Sequence, residues 1–550
     1  MPAPKLKFLM LAMSCCILAI SAAHAATLPS GFSETRVASG LTSPTAMAVA
    51  PDGRIFVAQQ GGALRVVKNN ALLPTPFLTV NVDVAGSRGL LGVAFDPNFE
   101  SNRFVYVHYT TAAAPIHNRV SRFTASASNP DVVQAGSEVP ILDLPTLGTT
   151  HHNGGAIHFA NDGTLFIAVG DNDVPSNSQS LNTPFGKMLR IQTNGSIPTN
   201  NPFYSQTSGV NRAIWARGLR NQFTFAFDAF NGRMHINDVG QDSWEEVNRG
   251  ATRANYGWPQ TEGNQPPGVS GVRYPIYTYQ NAGTDCAIIG ATFYRPRIVM
   301  FPVGYDGRYF FGDYCTGFIR TLSPPNYSSP AEFATGISSL LDIQTHPDGS
   351  LYYLSGTGEL FRVQSTTSSV VFQDDFESAR GWTLTGGGNS AERGLWQRGN
   401  PEPTLNAGLP LQLGHCQGST NCLITGLAAG TSNGTNDVDG GQTSIDSPAI
   451  ALPAGRALTL SFGLYFAHNA AANSMDLFRV RVVGEDGTVQ TVWARAANAN
   501  NVAGKWVTRT ASLDAWAGQT VQVRIDASDA VDGGGSLIEA GVDNVAITAR

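Results

Sequence analysis

The segment 149-TTHHNGGAIHFANDGTLFIAVGD-171 carries two apolar, strand-like runs on either side of Asn161-Asp162-Gly163. Asp-Gly or Asn-Gly between such runs is a strong hairpin signal, because the central turn positions need positive φ. Five further stretches share the pattern: 46-AMAVAPDGRIFVAQ-59, 90-LLGVAFDPNFESNRFVYVHY-109, 223-FTFAFDAFNGRMHINDVG-240, 301-FPVGYDGRYFFGDYC-315 and 340-LLDIQTHPDGSLYYLSG-356. Their starts lie about 39 to about 78 residues apart, and helical periodicity is nearly absent. Variable connections between like hairpins argue for four-stranded blades rather than a solenoid, and a pair of sandwiches would not explain six matching units. The expected fold is all-β, with a six-bladed β-propeller over residues 26–364.

The repeats stop near Val363. Residues 365–371, STTSSVV, read as a linker, and composition then shifts toward Gly, Ala, Asn and Thr. Strand signals at 457-ALTLSFGLYF-466, 476-DLFRVRVVG-484, 519-QTVQVRIDA-527 and 540-AGVDNVAIT-548 predict a jelly-roll-like β-sandwich over 372–550. It resembles the C-terminal accessory sandwiches of many secreted bacterial enzymes. Asp374, Asp375 and Asp543 are calcium candidates there, or acids that cap turns.

Lys5 and Lys7, the apolar run from Phe8 to about Ile20 and Ala23-His24-Ala25 read as a secretory signal peptide over residues 1–25. A periplasmic or secreted protein without a membrane span is expected. Of six cysteines, four follow the leader; in an oxidising compartment their spacing favours the pairs Cys286–Cys315 and Cys416–Cys422, with other pairings open. The net charge of −6 becomes about −8 once Lys5 and Lys7 are removed, and no basic run remains. Nucleic acid and anionic membranes are excluded as expected partners.

Loops flanking the blade strands converge on one face of a propeller, so four of them are candidates for chemistry. His151 and His152 offer imidazole, the usual base near neutral pH, although a loop histidine is more often only hydrogen-bonded, and no third ligand has zinc spacing. In 217-RGLRNQFTFAF-227, Arg220 presents a fork of donors suited to a carboxylate or quinone oxygen, or braces two blades. The segment 238-DVGQDSWEEVN-248 gathers Asp238, Asp242, Glu245 and Glu246, oxygen ligands for a hard cation or a solvated loop. The fourth is 254-ANYGWPQTEG-263.

Taken in order, 89-GLLGVAFDPNF-99, 152-HNGG-155, 186-GKMLRIQTNGSIPTNNPF-203, 218-GLRN-221, 240-GQDSWEEVN-248 and 255-NYGWP-259 resemble the soluble quinoprotein glucose/sorbosone dehydrogenase family over about residues 30–364. These are PQQ-dependent aldose dehydrogenases on a six-bladed propeller. The resemblance implies that His152 is the general base for a sugar C1 hydroxyl, that hydride passes to the quinone and leaves a lactone, and that an external acceptor reoxidises the cofactor. It implies cofactor contacts from Arg220, Asn221 and Arg295. It further implies Ca²⁺ at backbone carbonyls of Gly240 and Gln241, and a structural Ca²⁺ at Glu246 and the Tyr256 carbonyl. Ser87 and Arg88 stand where well-studied members carry a polar amide, and Tyr314 and Cys315 where they carry basic contacts. The cysteine-bearing loop looks more like the branch related to hedgehog-interacting proteins. Two other functions fit a six-bladed propeller: a non-catalytic carbohydrate- or protein-binding module, and a calcium-dependent lactonase.

Overall fold

Across Asn161-Asp162-Gly163, Ile157–Phe159 and Leu165–Val169 pair antiparallel, with Phe159 opposite Leu165. Asp162 holds the turn by accepting hydrogen bonds from the Thr164 amide and hydroxyl. In the computed structural model, which describes residues 26–550 except 282–286, 386–387, 429, 431, 433 and 531–534, Lys187–Ile191 and Ile214–Arg217 extend this hairpin into a four-stranded sheet. Five more sheets are built alike, four with four strands and one with five. Their innermost strands are Pro44–Val49, Leu90–Phe95, Ile157–Phe159, Thr224–Phe227, Ile288–Phe293 and Leu340–Thr345, and each touches the next around a closed ring. The molecule is a six-bladed propeller followed by a β-sandwich. The sixth blade takes its outer strand from the start of the chain: Phe32–Ala38 pairs with Glu359–Ser365, and the Tyr353 hydroxyl donates to Glu34.

The fifth unit corrects the sequence reading. The run 301-FPVGY-305 is not a strand; Val303–Tyr305 is a short 3-10 turn, and the inner strand is Ile288–Phe293. Phe301 is apolar for another reason, since its ring stacks on Tyr294 at 4.5 Å and fills the space between blades.

The sandwich consists of two six-stranded sheets, with Leu460 and Ile547 of one packed with Val480 and Val523 of the other. Ser369–Asp374 pairs with Ile538–Ala549, so part of the expected linker belongs to this sheet. Cys416 and Cys422 form a disulfide; Cys286 lies outside the described residues, and with it the expected Cys286–Cys315 pair. Asp374 ends the strand Ser369–Asp374, Asp375 follows it, and Asp543 lies within the strand Ile538–Ala549. Asp374 accepts from the Phe376 amide and the Trp382 indole, Asp375 from the Glu377 amide, and Asp543 from the Gln417 amide and the Ser419 hydroxyl.

The sandwich rests on the propeller face where Thr224–Phe227 and Ile288–Phe293 end. Arg297 donates to the Gly418 carbonyl, Arg550 to the Val299 carbonyl, and Arg509 lies 4.0 Å from the Phe230 ring centroid. Buried carboxyls sit at both levels. Burial pushes Asp342, which accepts the Met47 amide between the first and sixth blades, up to about 7, and does the same to Asp543 against the opposing charge of Arg297. A carboxyl raised on folding binds its proton more tightly in the folded state. The stability these groups contribute is therefore fully present below the ordinary carboxylate range and is lost as pH rises through 7. Thermal unfolding of the full chain is expected at a lower midpoint at pH 8 than at pH 5, and an equal or higher midpoint at pH 8 would contradict these assignments.

Candidate active site

His152 is held by its backbone and by one carboxylate. Its φ is +51°, uncommon for a residue with a side chain, and Gly154 and Gly155 follow at +64° and +128°. A Cβ on Gly154 would come within 2.6 Å of the Ala168 carbonyl oxygen, so only glycine lets the loop lie this close to its own blade. Thr149 and Thr150 are clamped from the second blade: Arg88 Nη2 donates to the Thr149 carbonyl at 2.7 Å, and the Ser87 amide to the Thr150 carbonyl at 2.9 Å. Ser87 and Arg88 thus brace the histidine loop. His151 points outward and is exposed.

His152 Nδ1 lies 2.7 Å from Asp171 Oδ1, and the Trp258 indole donates to Asp171 Oδ2 at 2.9 Å. A carboxylate can only accept, so Nδ1 carries the imidazole proton and Nε2 keeps its lone pair. That tautomer makes His152 a base at Nε2. Asp171 is buried and also accepts the Asp173 amide, which fixes the carboxylate plane and the ring with it.

Arg220 is joined to this group. The Asp171 amide donates to the Arg220 carbonyl at 2.7 Å, and the guanidinium carbon lies 5.7 Å from the Trp258 ring centroid. Among the described residues its side chain donates only to neutral acceptors, Gln241 Oε1 and the Val239 carbonyl. The charge is thus held in place without a bonded carboxylate, which suits an anionic ligand. Asn221 Oδ1 accepts the Gly154 amide at 3.2 Å and ties the fourth blade to the histidine loop. Beneath, Asp238 accepts the Arg220 and Asn221 amides; burial pushes its carboxyl up to about 7 in spite of them.

Gly240 and Gln241 lie in a loop wrapped around one oxygen. Glu262 Oε1 accepts the amides of Gln241, Asp242, Ser243 and Trp244, at 2.8 to 3.2 Å. Although burial works the other way, these four donors hold the Glu262 carboxyl below its ordinary range. The amides of Gln241 and Asp242 belong to the peptides whose carbonyls are those of Gly240 and Gln241. Peptide planarity therefore turns both carbonyls away from Glu262, outward. Outward carbonyls are the oxygen donors a hard cation takes. Glu262→Ala should weaken calcium binding here about ten- to hundredfold, the scale of losing charge-assisted hydrogen bonds. Calorimetric titration with CaCl₂ checks this, and an unchanged affinity would show that the loop holds its shape without Glu262.

Glu246 is buried beside this loop and accepts the Gly263 amide and Asn248 Nδ2; burial first, and then the Asp238 charge, drive its carboxyl well above the usual range. Tyr256 is buried in the neighbouring turn, its amide bonded to the Arg217 carbonyl. Arg295 is not part of the group. Ile288, at the start of its strand, donates to Glu245, which also accepts the Gly240 amide; Arg295 follows the far end, roughly 17 Å along the strand. There it pairs with Asp228 and Asp306 on the sandwich side of the propeller. The expected role at the quinone carboxylates is corrected to a brace between the fourth and fifth blades. Tyr314 and Cys315 follow the strand Tyr309–Asp313 at the end nearer Gly240.

The family model described as glucose/sorbosone dehydrogenase matches residues 41–362. The chain belongs to that family. It is 28% identical over 348 residues to aldose sugar dehydrogenase YliI of Escherichia coli K12, covering 59% of this chain and 90% of that one. Against quinoprotein glucose dehydrogenase B of Acinetobacter calcoaceticus it is 27% identical over 277 residues, 45% of this chain and 56% of that one. The crystal structure of the soluble aldose sugar dehydrogenase from Escherichia coli in the apo-form superposes with a TM-score of 0.54 at 26% identity, covering 61% of this chain and 99% of that one. All three likenesses fall short of the full chain, as expected where a sandwich is appended to a propeller of the glucose/sorbosone dehydrogenase family. In this member the structure adds Asp171, Trp258, the Gln241 side chain and Glu262 to the residues singled out from sequence. Each was inside a quoted motif, and none was distinguishable there from a strand end or turn residue.

Proposed function

We propose that the protein is an exported, PQQ- and Ca²⁺-dependent dehydrogenase that oxidises the C1 hydroxyl of an aldose to the lactone and passes the electrons to an external acceptor. One observation carries this reading: a histidine with Nε2 free, set by a buried aspartate, is knit through one tryptophan to an arginine whose side chain bonds only neutral groups among the described residues. The donor chemistry fits both cofactors. A planar anionic quinone matches the Arg220 fork and its aromatic neighbour, and Ca²⁺ matches the outward carbonyls of Gly240 and Gln241, with Glu246 and the Tyr256 carbonyl available to a second ion. PQQ, when bound, supplies a two-electron acceptor for the C1 hydride.

The rest is the work of this chain's own residues. His152 Nε2 takes the proton of the C1 hydroxyl, and Asp171 stabilises the resulting imidazolium and keeps the ring oriented. The Arg220 guanidinium stabilises negative charge that develops opposite the sugar. Asn221 and the Ser87–Arg88 turn keep the histidine loop at a fixed distance from Arg220. Export is supported by the leader-like first 25 residues and by the Cys416–Cys422 disulfide, which is at home in an oxidising compartment. Among the described residues no helix is long and apolar enough to cross a membrane. The test is reconstitution of purified protein with PQQ and CaCl₂, following the quinone spectrum and dye reduction with a panel of aldoses. Absence of both a spectral shift and turnover would overturn the proposal.

A further inference from the structure

The sandwich contains buried oxygens that lack hydrogen-bond partners, far from the His152 loop. Residues Leu411, Leu413 and Cys416 cover the outer face of one sheet, over Ile424, Tyr465 and Ala467. Beneath this cover lie Glu539, on the strand Ile538–Ala549, and Asp437, only 2% and 1% exposed. Val438 donates to the Ile538 carbonyl and Ile538 to Asp437 Oδ2, so the two acids are held side by side.

Their bonding is thin. Glu539 Oε1 receives the Thr404 hydroxyl at 3.4 Å, and Asp437 Oδ2 the Ile538 amide at 3.3 Å. Among the described residues, Glu539 Oε2, Asp437 Oδ1 and Gln412 Oε1 have no hydrogen-bond partner. Gln412 belongs to the same network, since its amide donates to the Thr404 hydroxyl that reaches Glu539. The charges acting on the pair are those of other acids: Asp439 and Asp529 on Asp437, and Asp437 on Glu539. Burial, followed by this repulsion, pushes Asp437 up to about 7 and Glu539 well above the carboxylate range.

Buried carboxylates are retained when they are paired or hold a metal. A single proton would satisfy one pair of these oxygens and leave the third, which can only accept, unmatched. A hard cation accepts oxygen donors of every kind, with no demand for a fixed geometry. From the unpartnered oxygens of two nine-tenths-buried acids linked through the Ile538 amide, we propose that the sandwich holds a calcium ion bound by Glu539 and Asp437, with Gln412 Oε1 as a third ligand. The ion ties the covering loop to the sheet. It is separate from the ions of the propeller and does not depend on the quinone.

The full chain, stripped with chelator and titrated with CaCl₂ alone without PQQ, provides the test. The wild type should bind one more equivalent of calcium than Glu539→Gln or Asp437→Asn, while PQQ-dependent turnover is the same in all three. Should neither variant fold, hydrogen exchange on the wild type reads the same site. At calcium a hundred times its Kd, amides of Leu411, Gln412 and Val438 should exchange about a hundredfold more slowly than in chelator. Equal calcium content in folded variants, or exchange at these amides unmoved by calcium, would mean that the pair is simply protonated and would overturn the site. Because turnover is read separately, failure of the dehydrogenase reading leaves this result interpretable.

Discussion

His152→Ala, loaded with PQQ and Ca²⁺, should turn over its aldose about 10²- to 10⁴-fold more slowly than the wild type, the usual contribution of a positioned general base. In the proposed function the effect belongs in kcat rather than in cofactor affinity, because Nε2 would meet the substrate hydroxyl while Arg220 and the Gly240 loop would hold the cofactor. The local structure should survive the change, since the loop is fixed by Gly154, Asn153 and the Ser87–Arg88 clamp and not by the imidazole. Steady-state kinetics with cofactor titration on the same preparation separates the two quantities. Wild-type kcat in the alanine variant would place the base elsewhere.

Asp171→Asn should be nearly as damaging, although the carboxylate touches neither sugar nor quinone. An amide oxygen in place of Oδ1 still accepts from Nδ1, but an amide nitrogen there donates, and it shifts the imidazole proton to Nε2, where the base must be bare. Loss of the negative charge also removes support for the imidazolium. A comparable change beside a catalytic histidine costs roughly 10⁴-fold in a serine protease. A merely structural role is distinguished by splitting the kinetics: loss of the base's orientation lowers kcat with PQQ affinity unchanged, whereas a packing defect weakens both. The Trp258 indole, bonded to Oδ2, reports on folding of the same corner through its fluorescence.

The propeller was legible because its signal is local. Most blades announce themselves in a short turn flanked by apolar runs, and the motif order supplied the ring. The misread fifth unit shows the limit of that signal, since Phe301 is apolar to stack on Tyr294 and not to line a strand. The site was legible only where one residue carries the chemistry. His152, Arg220 and Asn221 come together, whereas Arg295 was assigned without regard to which end of Ile288–Phe293 it follows. Asp171 and Trp258 could not be read at all. Their bonds to His152 and to each other span 19 and 87 residues, and no spacing rule connects an aspartate at a strand end with an indole in a loop of the next blade. Glu262 was hidden likewise, because what matters is its oxygen under four amides of another loop.

The outer strand of the sixth blade has a consequence for synthesis. Its contacts join Glu34 to Tyr353, 319 residues on, and Arg36 to Glu359, 323 residues on. A chain emerging from its amino terminus can pair strands within each blade, yet the ring stays an open arc until about residue 365 is available. Contacts of such long range make folding slow, because the loop must be closed before it is rewarded. His152 and Arg220 sit on neighbouring blades in the middle of that arc, so their spacing is finally set by a clasp made from segments that contain neither.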